Sequence, residues 1–257
     1  MTLWASIVPA YDLNTVRVFT MALLPISLGL PRVRMGGAQK KGKPGSAKTA
    51  RGGGKLDKEL KQKIFTRDDD TCQCCGFKAK KYQDVLHVNG DLSDTSENNL
   101  KTVCIFCHQC FNLDTVSDMR SGVLLWLPEI SQADLHHLTR AIYVARISQG
   151  DMANASRKSL EALMQRREEV RSRIGTDDPY ILATVLRDYL TDGHYHNRDK
   201  KLSGVRLFPL DRRIIKEADL EFNQFPQILA YWRSKDGPFG GKTPQKWFDI
   251  YHQLVEA

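Results

Sequence analysis

The chain has no hydrophobic run long enough to cross a membrane, although it contains 257 residues. Its longest mostly apolar stretch, residues 18–30, spans thirteen residues and is interrupted by Pro25, whereas a membrane helix needs about 20. The chain also lacks a Gly-rich phosphate loop, a Ser/His/Asp arrangement and internal repeats, and its Gly52–Gly54 run follows no predicted strand. These absences argue against a membrane-spanning protein and against nucleotide binding or serine-type hydrolysis.

Acidic residues are missing from residues 36–55, which carry six basic side chains and seven glycines. The formal net charge is +8, but residues 56–257 carry 29 basic and 29 acidic side chains. The rest of the chain therefore lacks the basic footprint of a DNA-binding protein, and nucleic acid is not an expected partner. This composition predicts that residues 1–54 form a disordered leader and a basic linker. The leader lacks the features of a signal peptide, and we expect translation to start at Met35.

Cysteine is absent outside a segment of 39 residues that holds all six: Cys72, Cys74, Cys75, Cys104, Cys107 and Cys110. Two C-x2-C pairs, Cys72/Cys75 and Cys104/Cys107, have the spacing that directs two sulfurs at one tetrahedral Zn²⁺. A disulfide framework is the alternative for an even number of cysteines. The paired spacing and the lack of a signal peptide favour reduced thiols and zinc. Cys110 also forms a C-x2-C pair with Cys107, so it could replace Cys104.

Each C-x2-C turn is called a knuckle below. The elements around the cysteines are predicted in the order helix, first knuckle, strand, loop, and a helix that carries the second knuckle. Residues 55–67 have helical periodicity, residues 82–88 alternate as in a strand, and residues 99–112 are predicted as a helix. This order resembles the ββα core of HNH endonucleases, in which the second zinc pair lies just after an Asn-Leu dipeptide. The resemblance places the second pair at Cys104 and Cys107.

The three catalytic positions of such a core would be His87, Asn99 and His108. In an active enzyme the first histidine acts as the general base, while an adjacent acid and the last histidine hold a divalent ion. Leu86 stands where active enzymes usually carry a metal-binding Asp or His. Since Mg²⁺ prefers oxygen ligands, this leucine argues against catalysis. We therefore expect His87 to be a structural strand histidine and His108 to be a surface or supporting residue.

The predicted fold class is α+β, with an HNH-like ββα zinc-knuckle core at residues 55–128 and a mainly helical region at residues 129–257. A strand is predicted at 122–127, and helices are predicted at 132–148, 154–174 and 179–190. Ser131 and Asp178 are placed to cap two of these helices. A helix that Pro226 would kink or start is predicted over residues 220–233, and a last helix follows Thr243-Pro244. Its apolar stripe is predicted to be core, with partner docking as the second choice: Trp247, Phe248, Tyr251 and Leu254.

Several segments together resemble the IcmJ (DotN) family of Dot/Icm-type type IV secretion systems: TCQCCGFKAKKYQD, NGDLSDTSENNL, CIFCHQCF and LLWLPEISQADL. The resemblance covers about residues 55–173. It implies a structural zinc held by Cys72, Cys75, Cys104 and Cys107. It also implies a non-catalytic subunit of the cytoplasmic coupling complex, peripheral to the inner membrane. The implied partners are the C-terminal extension of the coupling ATPase (DotL-like), adaptor proteins and effector proteins.

Three hypotheses follow for the function. The first is a non-catalytic scaffold that binds a partner peptide or helix stoichiometrically. The second is a divalent-metal-dependent nuclease whose activity would be lost on His87→Ala. The third is a nucleic-acid binder that uses the basic residues 36–55. Leu86 and the balanced charge of residues 56–257 favour the scaffold.

Overall fold

The computed structural model describes residues 23–31 and 56–255. The predictions for Met35, for the basic residues 36–55 and for most of the leader fall outside these residues. Within them the strands are β1 (Gln83–His87), β2 (Leu100–Cys104), β3 (Gly122–Trp126), β4 (Val205–Pro209), β5 (Ile214–Glu217) and β6 (Leu220–Asn223). The helices are α1 (Lys58–Arg67), α2 (Ile105–Cys110), α3 (Leu113–Asp118), α4 (Gln132–Arg146), α5 (Asp151–Ile174), α6 (Pro179–Thr184), α7 (Asp192–His196), α8 (Arg198–Lys201), α9 (Phe225–Arg233) and α10 (Pro244–Val255).

The described strands form three two-stranded antiparallel sheets, β1–β2, β3–β4 and β5–β6. Together with the helices they make a mixed α+β fold, which confirms the predicted class. In the first sheet His87 lies opposite Leu100 and Gln83 lies opposite Cys104. This register brings the end of β2 back beside the first cysteine pair.

The predicted helix over residues 99–112 is wrong in its first half, because Leu100–Cys104 is strand β2 and the helix begins at Ile105. Thr102 and Val103 are β-branched and fully buried, and they favour an extended backbone paired with β1. The cysteine pair therefore lies at a strand-to-helix junction, which turns both of its sulfurs inward.

The second sheet joins two distant parts of the chain. Residue Gly122 of β3 lies opposite Pro209 of β4, and Trp126 lies opposite Val205. This pairing crosses residue 128, the predicted boundary between an HNH-like core and a helical region. Local sequence patterns do not reveal strand β4, because its partner strand lies about eighty residues earlier.

The helices that follow begin where their capping residues predict. The Ser131 hydroxyl accepts a hydrogen bond from the backbone N–H of Asp134 at the start of α4. The Asp178 carboxylate accepts one from Tyr180 N–H at the start of α6, with Pro179 at the first helical position. Helix α6 continues into a π-helical segment at Val185–Tyr189. Both predicted caps are confirmed.

Residues 23–31 lie against the rest of the protein, which differs from the disordered leader expected for residues 1–54. Leu28 and Leu30 are buried in a cluster with Cys110, Leu113 and Leu186. Gly29 N–H donates to the Cys110 carbonyl (2.8 Å), and its own carbonyl accepts from Leu113 N–H (3.0 Å). Burial of the two leucines and these backbone bonds hold the segment in place.

The C-terminal helix differs from the prediction in the direction of its apolar face. Trp247 packs on Phe239, with ring centroids 4.9 Å apart, and contacts the main core. Phe248, Tyr251 and Leu254 are exposed, so the prediction that the whole stripe is core is wrong. Upstream, residues 220–223 form strand β6, and α9 begins only at Phe225, next to Pro226.

Candidate metal centre

The first cysteine pair lies in a tight turn between α1 and β1. Cys72 N–H donates to the Phe77 carbonyl (3.0 Å), and Gly76 N–H donates to the Cys72 carbonyl (2.8 Å). Gly76 has a φ of +73°, a left-handed conformation that glycine adopts without steric cost. Gln73 N–H donates to the Thr102 carbonyl (2.8 Å), which fixes the turn against β2.

The second pair lies at the junction of β2 and α2. Cys104 is both the last strand residue and the N-cap of α2, and its sulfur lies 3.5 Å from the backbone nitrogen of Cys107, which donates to it. The N-terminus of a helix favours negative charge, which suits a thiolate at this position. The strand-to-helix turn therefore presents both sulfurs to the first knuckle.

The four sulfurs lie within 4.8 Å of one another, and all four side chains are buried: Cys72, Cys75, Cys104 and Cys107. Cys75 Sγ and Cys104 Sγ are 3.7 Å apart. Four thiolates bound to a tetrahedral ion at 2.3 Å lie about 3.8 Å from each other. The spacing of this pair and the soft donor set both fit a Zn²⁺ ion.

All six cysteines are free thiols, so the described cysteines form no disulfide. The structure places Cys104, rather than Cys110, in the four-sulfur group. The Cys110 thiol donates to the Phe106 carbonyl (3.6 Å) and lies 3.8 Å from His136 Nε2. Burial raises the pKa of Cys110, which favours a neutral thiol there.

Helix α4 packs against the cysteines with three polar side chains. Arg140 donates through Nη2 to Cys104 Sγ (2.8 Å), and His137 Nε2 donates to the Cys75 carbonyl (2.8 Å). His136 Nδ1 lies 3.3 Å from Cys107 Sγ. These groups surround the sulfurs with hydrogen-bond donors and positive charge.

The pKa of Cys104 reflects two opposing effects. Burial acts to raise the pKa of this thiol, but sulfur hydrogen bonds with Cys107 and Cys75 and the charge of Arg140 bring it below its ordinary value. Hydrogen bonds with the neighbouring thiols, first among them Cys104, lower the pKa of Cys72. Hydrogen bonds with the other sulfurs, first among them Cys104, raise the pKa of Cys75 and Cys107. The environment therefore favours thiolate, the form that binds metal, at Cys72 and Cys104, and the neutral thiol at Cys75 and Cys107.

The three positions expected from an HNH-like core lie apart from the sulfurs. His87 and His108 line one cleft of about 1220 Å³ between β1 and the segments at 23–31 and 187–199. Asn99 is buried, and its side chain bonds the backbone of Asn89 (2.9 Å) and Asp94 (2.8 Å). Asn99 therefore holds the loop 89–99, and the two histidines share a cavity.

Charged side chains lie near both histidines, among them Asp84 and Lys61. His108 Nε2 lies 4.0 Å from Asp84 Oδ2, while Asp84 Oδ1 accepts a hydrogen bond from Lys61 (2.8 Å). Burial lowers the pKa of both His87 and His108, more than the nearby carboxylates raise it. His87 Nε2 is buried and has no hydrogen-bond partner in the structure. The lowered pKa values favour the neutral form of both rings.

Sequence reasoning missed His136, His137 and Arg140. These residues lie in HHLTR, which directly follows the quoted segment LLWLPEISQADL, and they occupy helical positions i, i+1 and i+4. That spacing places His136 and Arg140 on one face of α4. The signal in the sequence was a histidine and an arginine four residues apart on a predicted helix, but only the fold shows that this face is buried against the cysteines.

Fold and site together define a mixed α+β protein with four buried cysteines that are close enough to hold one metal ion. No family model matches the chain. The chain is 32% identical over 172 residues to the type 4 apparatus protein DotN of Legionella pneumophila, which spans 64% of this chain and 80% of that protein. The chain belongs to the DotN (IcmJ) family. Among the helices described here, none is both long and apolar enough to pass through a membrane.

Proposed function

We propose that this protein is a non-catalytic, zinc-containing subunit of a type IV secretion apparatus. In this role it binds the coupling ATPase and adaptor proteins in the cytoplasmic coupling complex and helps to recruit effector proteins. The observation that carries the proposal is the 32% identity that extends over 80% of DotN. The protein would be cytoplasmic and held at the inner membrane through the complex.

The cysteine site supports a structural role for zinc. Four protein thiolates complete a tetrahedral shell and leave no position for a substrate or a water molecule, as in structural zinc sites. All four cysteines are 5% exposed or less, so the site does not open to solvent. The elements β1, β2 and α2 around this site follow one another in the order of an HNH-like ββα core. We infer that this core serves here as a structural scaffold.

The cleft beside β1 supports a non-catalytic role for that scaffold. Leu86 is buried in the hydrophobic core and offers no ligand next to His87. Asp84 is the acid that faces His108, and one of its oxygens already pairs with Lys61. Asp91 and Asp94, which also lie near His87, accept hydrogen bonds within the loop 89–99, and these bonds compete with the binding of Mg²⁺ by their carboxylates.

A divalent-metal-dependent nuclease is the second candidate. The observation that favours it is the pair His87 and His108 in one cleft, with His87 Nε2 unpartnered. This function predicts DNA cleavage with Mg²⁺ or Mn²⁺ that is lost in His87→Ala. A purified protein with no cleavage above the level of His87→Ala removes this candidate.

Two exposed apolar surfaces are suited to a protein partner. The α6 surface consists of Tyr180, Ile181, Val185 and Tyr189. The α10 surface consists of Phe248, Tyr251, Leu254 and Val255. Contiguous exposed apolar residues on a helix are typical of binding sites for another helix or peptide.

The test is a tagged pull-down from the native host, with partners identified by mass spectrometry and stoichiometry. Recovery of a membrane-associated secretion ATPase near one-to-one supports the proposal. Serine substitutions on the α6 surface (Tyr180→Ser with Tyr189→Ser) and on the α10 surface (Tyr251→Ser with Leu254→Ser) then locate the contact. Leu220→Ser is the matched control, because Leu220 is exposed but lies outside both surfaces. Recovery of nucleic acid, or of no protein partner, contradicts the proposal.

A further inference from the structure

The side chain of Arg140 is fully buried against the cysteine cluster, with 1% of its surface exposed. Its Nη2 donates to Cys104 Sγ at 2.8 Å, while Nε and Nη1 have no hydrogen-bond partner. Among the residues that the structure describes, no Asp or Glu forms an ion pair with it. The cysteine sulfurs are therefore the negative partner available to this guanidinium.

A buried guanidinium without an anionic partner is expensive. Burial removes the water that would solvate such a charge, and removing one member of a buried pair leaves the other uncompensated. Four thiolates and one Zn²⁺ carry a net charge of about minus two, which the guanidinium halves. The charge of Arg140 and the charge of a loaded site therefore stabilise each other.

Three aromatic rings hold the guanidinium in place. Its central carbon lies 3.9 Å from the ring centroid of Phe77, 4.9 Å from that of Phe106 and 5.9 Å from that of Trp232. Arginine stacks on aromatic faces through its planar, weakly hydrated group. The rings fix the orientation of the hydrogen bond to Cys104 and exclude water from it.

We propose that Arg140 is a positioning residue that sets the metal affinity of the four-cysteine site. It holds Cys104 Sγ and offsets part of the thiolate charge. This inference rests on the zinc site of the proposed function, but not on the secretion partners. Hydrogen-bonding partners of metal ligands contribute about 10–100-fold to metal affinity in other proteins.

The test compares purified Arg140→Met and Arg140→Lys with wild type in competition for Zn²⁺ against a chromophoric chelator at pH 7. We expect Arg140→Met to bind Zn²⁺ about 10–100-fold more weakly. Arg140→Lys keeps the charge but not the planar fork, so its affinity should be intermediate. Arg173→Met is the matched control, because its guanidinium lies over the Trp126 ring (4.0 Å) and not beside the sulfurs. Its affinity should equal that of wild type.

Substitution by Co²⁺ provides a second readout that a mere packing defect would not change. Loss of the hydrogen bond should shift the sulfur-to-cobalt charge-transfer band in Arg140→Met while the ligand-field bands stay tetrahedral. A variant with wild-type zinc affinity and an unchanged cobalt spectrum overturns the inference, even if its melting temperature falls. If Arg140→Met does not fold, Arg140→Lys decides: weaker binding supports the inference, and wild-type affinity overturns it.

The wild-type protein separates this inference from the proposed function. One tightly bound Zn²⁺ per wild-type chain, with unchanged affinity in both Arg140 variants, refutes only the role of Arg140. A wild-type protein that binds no zinc refutes the zinc site and this inference together. Absence of the ATPase from the pull-down refutes the secretion role and leaves the affinities as they are.

Discussion

Replacement of Cys104 by serine is the sharpest perturbation of the cysteine centre. The substitution removes one of four sulfurs that lie within 4.8 Å of one another. It also replaces the sulfur that accepts hydrogen bonds from Arg140 (2.8 Å) and from Cys107 N–H (3.5 Å) with a hydroxyl, which can accept both bonds but carries no negative charge. Cys110→Ser is the matched control, because Cys110 is equally buried in the next turn but lies outside the group.

The magnitude follows from the buried charge. Breaking a buried charge pair by removing one partner costs about 3–5 kcal/mol, and the loss of bound metal adds to this cost. In a chain of this size a destabilisation of 1 kcal/mol lowers the thermal midpoint by about 2–4 °C. The lost charge pair alone should therefore lower the midpoint of Cys104→Ser by about 6–20 °C. In Cys110→Ser the new hydroxyl can still donate to the Phe106 carbonyl. Its cost should lie near the lower end of the about 1–3 kcal/mol typical of a buried hydroxyl.

Metal content and thermal unfolding measured on the same samples check this prediction. Wild type and Cys110→Ser should each hold one zinc per chain, and Cys104→Ser should hold much less than one. A Cys104→Ser protein that keeps one zinc per chain and the melting temperature of the control would refute the ligand assignment. If only Cys110→Ser lost its zinc, the alternative pair Cys107/Cys110 would hold instead.

Three further predictions concern the surrounding fold. Tyr195→Phe should lower the free energy of unfolding by about 2–4 kcal/mol in chemical denaturation, because the Tyr195 hydroxyl bonds both the N–H (3.0 Å) and the carbonyl (2.8 Å) of buried Leu30; an unchanged value would mean that residues 23–31 do not hold to the fold in solution. Gly204→Ala should cost about 2–5 kcal/mol, since φ is +129° and the new Cβ would lie 2.6 Å from the Trp126 ring. Gly150→Ala is the control, because Gly150 has a φ of +78° and open space around the new Cβ, so only backbone strain should lower its stability. Equal melting temperatures for Gly204→Ala and Gly150→Ala would refute the packing argument. Removal of zinc by a chelator should lower the thermal midpoint, and one equivalent of zinc should restore it; a midpoint that does not change would contradict a structural metal.

Local chemistry is what the sequence could predict. The spacing of Cys72/Cys75 and Cys104/Cys107 identified the four sulfurs that the fold brings together. Ser131 and Asp178 marked two helix starts through side chains that bond the first turn. Each of these signals depends on residues within a few positions of each other, so no knowledge of the fold was required.

Long-range packing is what the sequence could not predict. The strand Leu100–Cys104 resembled part of a helix because its extended form depends on pairing with β1. The strand Val205–Pro209 depends in the same way on β3. The sequence of residues 23–31 predicts a leader, because their few apolar side chains find a partner surface only in the folded protein.

The contacts of Arg140 also depend on long-range packing, and they connect the cysteine centre to parts of the fold outside the two C-x2-C turns. Arg140 belongs to α4, its sulfur partner Cys104 lies at the end of β2, and the indole ring of Trp232 beside it belongs to α9. Three distant segments therefore meet at one guanidinium, and the thiolates compensate its buried positive charge. Because closing such long loops costs conformational entropy, a metal that stabilises the meeting point stabilises all three segments at once. Zinc at this position would therefore hold the C-terminal region to the core, and its removal should loosen α9 as well as the knuckles.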